Sequence, residues 1–215
     1  TTKLQGKIAR SSDGLSFGGL TLANQQFDSL TSGTIASTTA NFKSTTKIFD
    51  LKSINDASSG QMAFDLTLDG QDEIFDLDAD ITIPNGVLVS QPTDSVQLSI
   101  DGKLSSNGFK GALSSAGFLA SSPLTLDGDV SVTDAKTAID NLLLQIGKTE
   151  IAGAFERDTS TGLINAKASI NSDDISALAA LALKKASGKV SGNVELRPNQ
   201  NTQSASLNLD LNQVQ

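Results

Sequence analysis

Between Ser122 and Lys185 the chain reads SPLTLDGDVSVTDAKTAIDNLLLQIGKTEIAGAFERDTSTGLINAKASINSDDISALAALALKK. Its first part alternates with a period of two. Leu124, Leu126, Val130 and Val132 fall on one face of an extended segment, and Asp127, Asp129 and Ser131 fall on the other. Asp140 to Ile146 reads as the next strand, and its Leu142-Leu143-Leu144 run reads as covered on both faces. Gly147-Lys148-Thr149 is a turn, Glu150 to Arg157 returns, and Asp158 to Gly162 turns again. Ile164, Ala166, Ala168 and Ile170 then form a further apolar row. After that the period changes. Ile175, Leu178, Ala179 and Ala182 share one face of a helix expected over 173–186, with Ser172 or Asp173 as its cap and Gly188 as its stop. Asp173 and Asp174 at its start and Lys184 and Lys185 at its end suit the helix dipole.

The same grammar of strand and turn extends outward. Upstream, Lys3 to Arg10 is a strand closed by the turn cluster Ser11-Ser12-Asp13-Gly14. Leu15 to Asn24 follows, with Gly18-Gly19 marking a bulge, a bend or a close approach inside it. Phe27 to Ser37 and Asn41 to Ile54 are Thr-rich strands, and Ala57 to Gly60 is a loop. The alternation is clearest from Met62 onward. Met62, Phe64, Leu66 and Leu68 face one way; after a turn at Asp69 to Asp72, so do Phe75, Leu77, Ala79, Ile81 and Ile83. Pro84-Asn85-Gly86 reads as a turn before a short strand at Val87 to Ser90. Val96, Leu98 and Ile100 alternate again, with a turn or bulge at Asp101-Gly102 and a hairpin signal at Asn107-Gly108. Phe109 to Phe118 is Gly- and Ser-rich and gives a weaker pattern. Downstream of the helix, Val190, Val194 and Leu196 and then Ala205, Leu207, Leu209 and Leu211 give two more strands. About fifteen short strands in succession predict a mostly β protein built as a long antiparallel meander, with one short helix near its C-terminal end. At about 4.8 Å per strand such a sheet is roughly 70 Å across, and a flat one would leave a wide apolar face in water. It is therefore expected to curl into a groove, and residues 1–215 to form a single elongated domain.

Composition narrows the function classes. The 215 residues carry a net charge of -8 and include nine Phe but no Trp, Tyr, His or Cys. An acidic surface without stacking aromatics or a basic patch argues against nucleic-acid binding. Without His and Cys, most zinc sites, Ser-His and Cys-His pairs and thiol redox chemistry are excluded. No apolar run approaches the roughly 18 residues of a membrane-spanning helix; the longest is Ala177 to Leu183. Thr1-Thr2-Lys3-Leu4 opens in mid-pattern without a signal peptide, so the chain reads as a piece of a longer one that has lost any leader or anchor.

Two short motifs invite chemistry and fail on spacing. Asp76-x-Asp78-x-Asp80 begins like a calcium loop, but Ile81 and Val87 stand where that loop needs Gly and Glu. These aspartates, with Asp65, Asp69, Asp127 and Asp129, read as the solvated face of strands. Gly147-Lys148-Thr149 ends like a phosphate loop, yet Leu142 occupies the position of the earlier glycine and strands flank the segment on both sides. The helix reads as a cap on the sheet in preference to a membrane or partner contact. What remains is the apolar rows. They are either ordinary core or a trough for acyl chains, lined by Phe64, Leu66, Phe75, Leu77, Ile81, Leu98, Ile100, Leu126 and Val130.

The central stretch, 122–187, resembles the AsmA/TamB family of Gram-negative envelope proteins. The resemblance is carried by Leu126-Asp127-Gly128-Asp129-Val130, by Ala138-Ile139-Asp140-Asn141-Leu142, and by Ile146 to Gly153. Leu163 to Ile170 and Asp173-Asp174-Ile175 through Leu178, leading into the helix, complete it. About 60 residues match well, the first 120 only in style, and the matching residues are strand and turn positions without catalytic anchors. The resemblance implies a β-groove in the periplasm, tethered to the inner membrane by a helix absent here or through a partner protein, that passes phospholipids toward the outer membrane. It implies no enzyme activity, no cofactor and no metal. The rival expectation is a structural or adhesive extracellular β protein with a dry core. A hydrolase lacking any recognisable motif is a third and weaker alternative.

Overall fold

Extended, period-two sequence becomes strand along most of the chain. The computed structural model describes residues 1–215, which divide at Asn107/Gly108 into two compact units. The first unit holds β1 (Lys3–Arg10), β2 (Gly14–Ala23), β3 (Phe27–Ala36), β4 (Thr39–Ile48), a 3₁₀ turn at Leu51–Ser53, β5 (Ser59–Gly60), β6 (Met62–Gln71), β7 (Ile74–Leu88) and β8 (Gln91–Ser105). The second holds β9 (Gly108–Leu119), β10 (Ser122–Val132), β11 (Lys136–Ile146), β12 (Thr149–Asp158), β13 (Ile164–Ser172), α1 (Ser176–Leu181), β14 (Lys189–Asn199) and β15 (Thr202–Asn212). Strands follow one another in chain order as an antiparallel meander, with only the two-residue β5 set aside to pair with the far part of β7. Neither end strand has a second partner: β1 pairs with β2 and β15 with β14, so no barrel closes. The expected fold class, mostly β with a long antiparallel meander and one short helix, is what forms.

Several local expectations are corrected. Pro84-Asn85-Gly86 is not a turn but lies within β7. The ladder from β6 ends at Ala63↔Thr82 and that from β5 begins at Gly60↔Gly86, so Pro84, which has no N–H to give, falls in the gap between them. Opposite it Ser95 takes a left-handed backbone, φ 53. The buried positions of β8 then shift from Val96 to Thr93 and Gln91, which turns a second set of side chains inward. The reversal itself occurs at Val89-Ser90. Asp101-Gly102 is likewise inside β8, paired with Asp78 and Leu77. The turn expected at Asp69 to Asp72 falls at Asp72-Glu73, because β6 runs on to Gln71.

β4 ends at Ile48, and Leu51 turns into the 3₁₀ segment, not onward in a strand to Ile54. Leu143 is exposed, so the triple-leucine run is covered on one face only. The helix is six residues long, against an expected fourteen. It starts after Ile175, with the Asp174 carboxylate accepting from the Ser176 N–H. It stops where Leu183 goes left-handed at φ 55, well before Gly188. Gly18-Gly19, by contrast, is a bulge in β2, with Gly19 at φ 63 supplying the extra residue against both β1 and β3.

Each unit buries its apolar side chains mainly at one end. In the first, Leu51, Ile83 and Val96 form a closed cluster with Met62, Ile81 and Leu88 against them. In the second, the Ala177 Cβ of α1 lies 3.1 Å from where a Cβ on Gly147 would sit. Ile146, Thr149, Ser172 and Val190 are buried along the adjoining strand pairs. The buried hydroxyls there satisfy each other, Thr149 Oγ1 lying 2.7 Å from Ser172 Oγ.

Candidate functional site

Register decides which side chains share a face. In antiparallel pairing, residues directly opposite lie on the same side of the sheet. In the first unit this aligns Phe64–Ile81–Leu98, Leu66–Ala79–Ile100, Leu68–Leu77–Gly102 and Gly70–Phe75–Leu104 across β6, β7 and β8. Phe64, Leu66, Phe75, Leu77, Ile81, Leu98 and Ile100 therefore all lie on one face, and each is partly buried. In the second unit Leu126 continues through Leu144, Ile151 and Ile170, and Val130 through Ile139, Phe155, Ala166 and Leu196. Leu126 and Val130 are also partly buried. The apolar face of that unit extends to β15, where Leu207, Leu209 and Leu211 stand opposite Val194, Gly192 and Val190.

Nothing in either unit covers these faces beyond their capped ends. No side chain in the chain is less than 2% exposed. The total accessible surface is 13240 Å² for 22.2 kDa. Two compact units sharing that mass would together expose about 11,300 Å², so roughly 1,900 Å² or more is surface that an ordinary core would have hidden. Contiguous exposed apolar surface beyond a few hundred Å² marks a binding surface more often than idle surface.

Two features modulate the faces. The first is glycine. Gly111, Gly117, Gly128, Gly153 and Gly192 all occupy positions on the apolar side of the second unit, aligned with Val130, Leu124, Leu113, Ala168 and Ile170. Gly33 does the same in the first unit, where its φ of 108 and the overlap of a built Cβ with Asn41 O admit no side chain. Phe17 and Phe42 on its two flanking strands meet over it, with ring centroids 5.6 Å apart in an edge-on arrangement. The second feature is hydroxyl. On β3 and β4 the same face carries Ser29 paired with Thr46 at 2.9 Å and Thr31 paired with Ser44 at 3.0 Å. Those strands therefore give a less greasy stripe than β6 to β8.

The opposite face is polar, as the alternation requires. Asp65 faces Asp80, Asp69 faces Asp76, and Asp78 faces Asp101. Like charges directly across a ladder repel, and partners relieve part of this: Thr45 donates to Asp65 at 2.6 Å, Asn41 to Asp69 at 3.2 Å, Ser99 to Asp80 and Lys103 to Asp76. No group of three or more acidic side chains is arranged to hold a metal ion. The shifted titrations lie away from the apolar faces. Asp158 is held down at about 2 by hydrogen bonds from the Ser160 hydroxyl and from the Thr161 N–H and hydroxyl. Asp173 is lowered by its bond to Lys189, Asp174 by the Ser176 N–H, and Lys136 is raised by its bond to Glu156. These are solvated contacts at turns and strand ends.

Concavities near the ends take in parts of the apolar rows, Val190 and Leu211 in one and Leu15 and Ile35 in another. One lies among Asn171, Asp173, Lys189 and Asp210, and another along Arg10 to Leu15 with Ile35 and Ala36. We regard the broad apolar faces, of which these hollows take in only the ends, as the candidate site. The expected lining omitted Phe17, Phe42 and Leu68 in the first unit and Leu144, Ile151, Phe155 and Leu207 in the second. Their signal was the same alternation. The chain matches no protein-family model, no curated protein and no solved structure.

Proposed function

We propose that this chain is a non-enzymatic lipid-binding or lipid-conduit domain, which holds phospholipid acyl chains against its apolar sheet faces and leaves the head groups near water. The observation that carries the reading is the uncovered apolar rows of β6 to β8 and β10 to β15. Acyl chains gain about 0.8 kcal/mol for each methylene they bury. Rows of Leu, Ile, Val, Phe, Ala and Gly offer that gain without fixed polar anchors, so a chain can shift along them at little cost. The AsmA/TamB resemblance adds a setting, the periplasm of a Gram-negative bacterium, with tethering to the inner membrane through an anchor or a partner and a role in supplying the outer membrane. The alternative, a structural or adhesive β protein with a dry core, fits less well with an accessible surface of 13240 Å² and no side chain below 2% exposure.

The test is native mass spectrometry of the purified chain with lipid extraction beside it. Adducts of phospholipid mass, restored to a delipidated sample by added phosphatidylethanolamine vesicles, are expected. A clean apo mass that takes up no lipid from those vesicles overturns the proposal in favour of the structural reading.

A further inference from the structure

Four hydroxyls on β3 and β4 stand inside the apolar face of the first unit. Ser29 bonds Thr46 at 2.9 Å and Thr31 bonds Ser44 at 3.0 Å, and all four residues are partly buried. Apolar positions enclose them on every side. Leu20 and Leu22 flank them on β2, and Phe64 and Leu66 on β6. The Phe17–Phe42 contact closes one end of this island, and Phe27 opposite Ile48 closes the other. The ladder does not require hydroxyls here, since valine has the shape of threonine and suits a strand equally well.

A hydroxyl carries one donor and two acceptor lone pairs. The bond within each pair spends one O–H, so each pair keeps a second O–H with no partner in the protein. In the empty protein this face is open and water takes that donor. Covering it with hydrocarbon alone would leave it unsatisfied, which is costly. A ligand that brings an acceptor to each pair avoids the cost.

We propose that the two hydroxyl pairs receive the two ester carbonyls of a diacyl glycerolipid, one carbonyl on each pair. The inference rests on the lipid reading above and adds to it a recognised group, the acyl ester, and a register along the face. Spacing fits, because the pairs are two residues apart along their strands, about 7 Å, and the two esters sit on adjacent carbons of one glycerol. The neighbouring rows fit as well. Thr46 leads across the sheet through Phe64, Ile81 and Leu98, and Ser44 leads through Leu66, Ala79 and Ile100. Each pair therefore heads its own apolar row, one for each acyl chain. Those rows hold no hydroxyl of their own, so the island gives a face that otherwise lets chains slide one preferred stop.

The test compares a diacyl phosphatidylethanolamine with its dialkyl ether analogue of the same chain length, which has no carbonyl. Each displaces a pyrene-labelled phosphatidylethanolamine from the full 215-residue chain. The wild-type chain is expected to bind the diester about tenfold more tightly than the diether. A hydroxyl-free variant carrying Ser29→Ala, Thr31→Val, Ser44→Ala and Thr46→Val is expected to bring that ratio to about one, with circular dichroism checking the fold. Thr31→Val with Ser44→Ala, which removes one pair only, is expected to bring it to about threefold and serves where the fourfold variant does not fold. A wild-type chain that binds both lipids equally, or a folded variant that keeps the full tenfold ratio, overturns the inference and leaves the lipid reading standing. A wild-type chain that binds neither lipid overturns both.

Discussion

Leu77→Asp separates a lipid-holding face from a merely exposed one. Leu77 lies between Leu68 and Gly102 in the middle of the β6–β8 rows, and Gly102 leaves its β8 side without a side chain. The residue is partly buried, so losing it costs the fold about 1–2 kcal/mol, part of the value of a fully buried leucine. The new carboxylate stays hydrated in the empty protein, because the face is open. Binding is another matter. An acyl chain crossing one strand spacing lays about three methylenes over this position, and one-sided contact makes them worth about 1.2 kcal/mol. Covering a carboxylate with hydrocarbon adds about 1–2 kcal/mol more. The sum, about 2–3 kcal/mol, weakens binding roughly 30- to 150-fold. Displacement of a pyrene-labelled phosphatidylethanolamine reads this directly, with circular dichroism as the check on folding. Ser32→Asp is the matched control: it adds the same charge on the polar face of β3, opposite Lys43, and is expected to leave binding unchanged. Folded Leu77→Asp and Leu98→Asp chains that bind the probe within about threefold of wild type would refute the reasoning, because acyl chains could not then lie on these rows.

Four further outcomes follow from local geometry. Val89 and Ser90 form the β7–β8 reversal at φ 47 and 69, so Val89→Asn with Ser90→Gly should stabilise the chain by about 1–2 kcal/mol, seen as a rise in urea midpoint. Thr93 Oγ1 is buried without a hydrogen-bond partner, so Thr93→Val should be neutral or stabilising by about 1 kcal/mol in thermal melts, not destabilising. Gly33→Ala must push a methyl into Asn41 O, and at φ 108; a loss of about 2–4 kcal/mol and a broken Phe17–Phe42 contact are expected by denaturation and by NMR. Asp158 titrates at about 2, below its ordinary 3.8, so its contribution is complete above pH 4 and fades as pH falls from about 4 to 2. Carboxyl NMR should place its midpoint near 2, and Asp158→Asn should remove that acid-sensitive step from the 158–162 turn.

Strand identity and face were legible because both rest on a period of two, which the ladders reproduce except at bulges such as Gly18-Gly19. Met62 to Leu68 and Phe75 to Ile83 are the plain case: the sequence places them on one side, and the pairing puts Phe64 against Ile81 and Leu68 against Leu77. Reversals were harder. Asp72-Glu73, Val89-Ser90 and Ala120-Ser121 all reverse the chain in two residues with positive φ, yet none carries the Asn or Gly that such turns favour. Strand pairing on both sides holds them there against their own preference. The converse error came from Pro84-Asn85-Gly86 and Asp101-Gly102, whose turn chemistry is absorbed within long strands. Helix length was overread because residues 182–186 keep a compatible composition after Leu183 has already left the helical region. The candidate lining was found where aromatic and branched residues made the alternation conspicuous; alanine- and glycine-rich rows such as Gly153–Ala168–Val194 carry the same face with a weaker signal.

Those weaker rows bear on mechanism. A core built for stability fills its interior with large side chains at high density. Here Gly111, Gly117, Gly128, Gly153 and Gly192 stand on the side that would have to supply that filling, while the polar side carries ordinary side chains. A built Cβ on Gly153 would overlap Lys167 O, and one on Gly192 would overlap Asn208 O, so close backbone approach accounts for these two. Gly128 is different: its nearest neighbour is the end of the Ile139 side chain at 3.0 Å, so a modest shift would admit a methyl there. A glycine retained where alanine nearly fits lowers the surface locally without being demanded by the ladder. On the proposed reading, lowered positions beside Val130 and Leu142 would widen the apolar face for a flexible hydrocarbon chain without adding any polar group that would hold it in place.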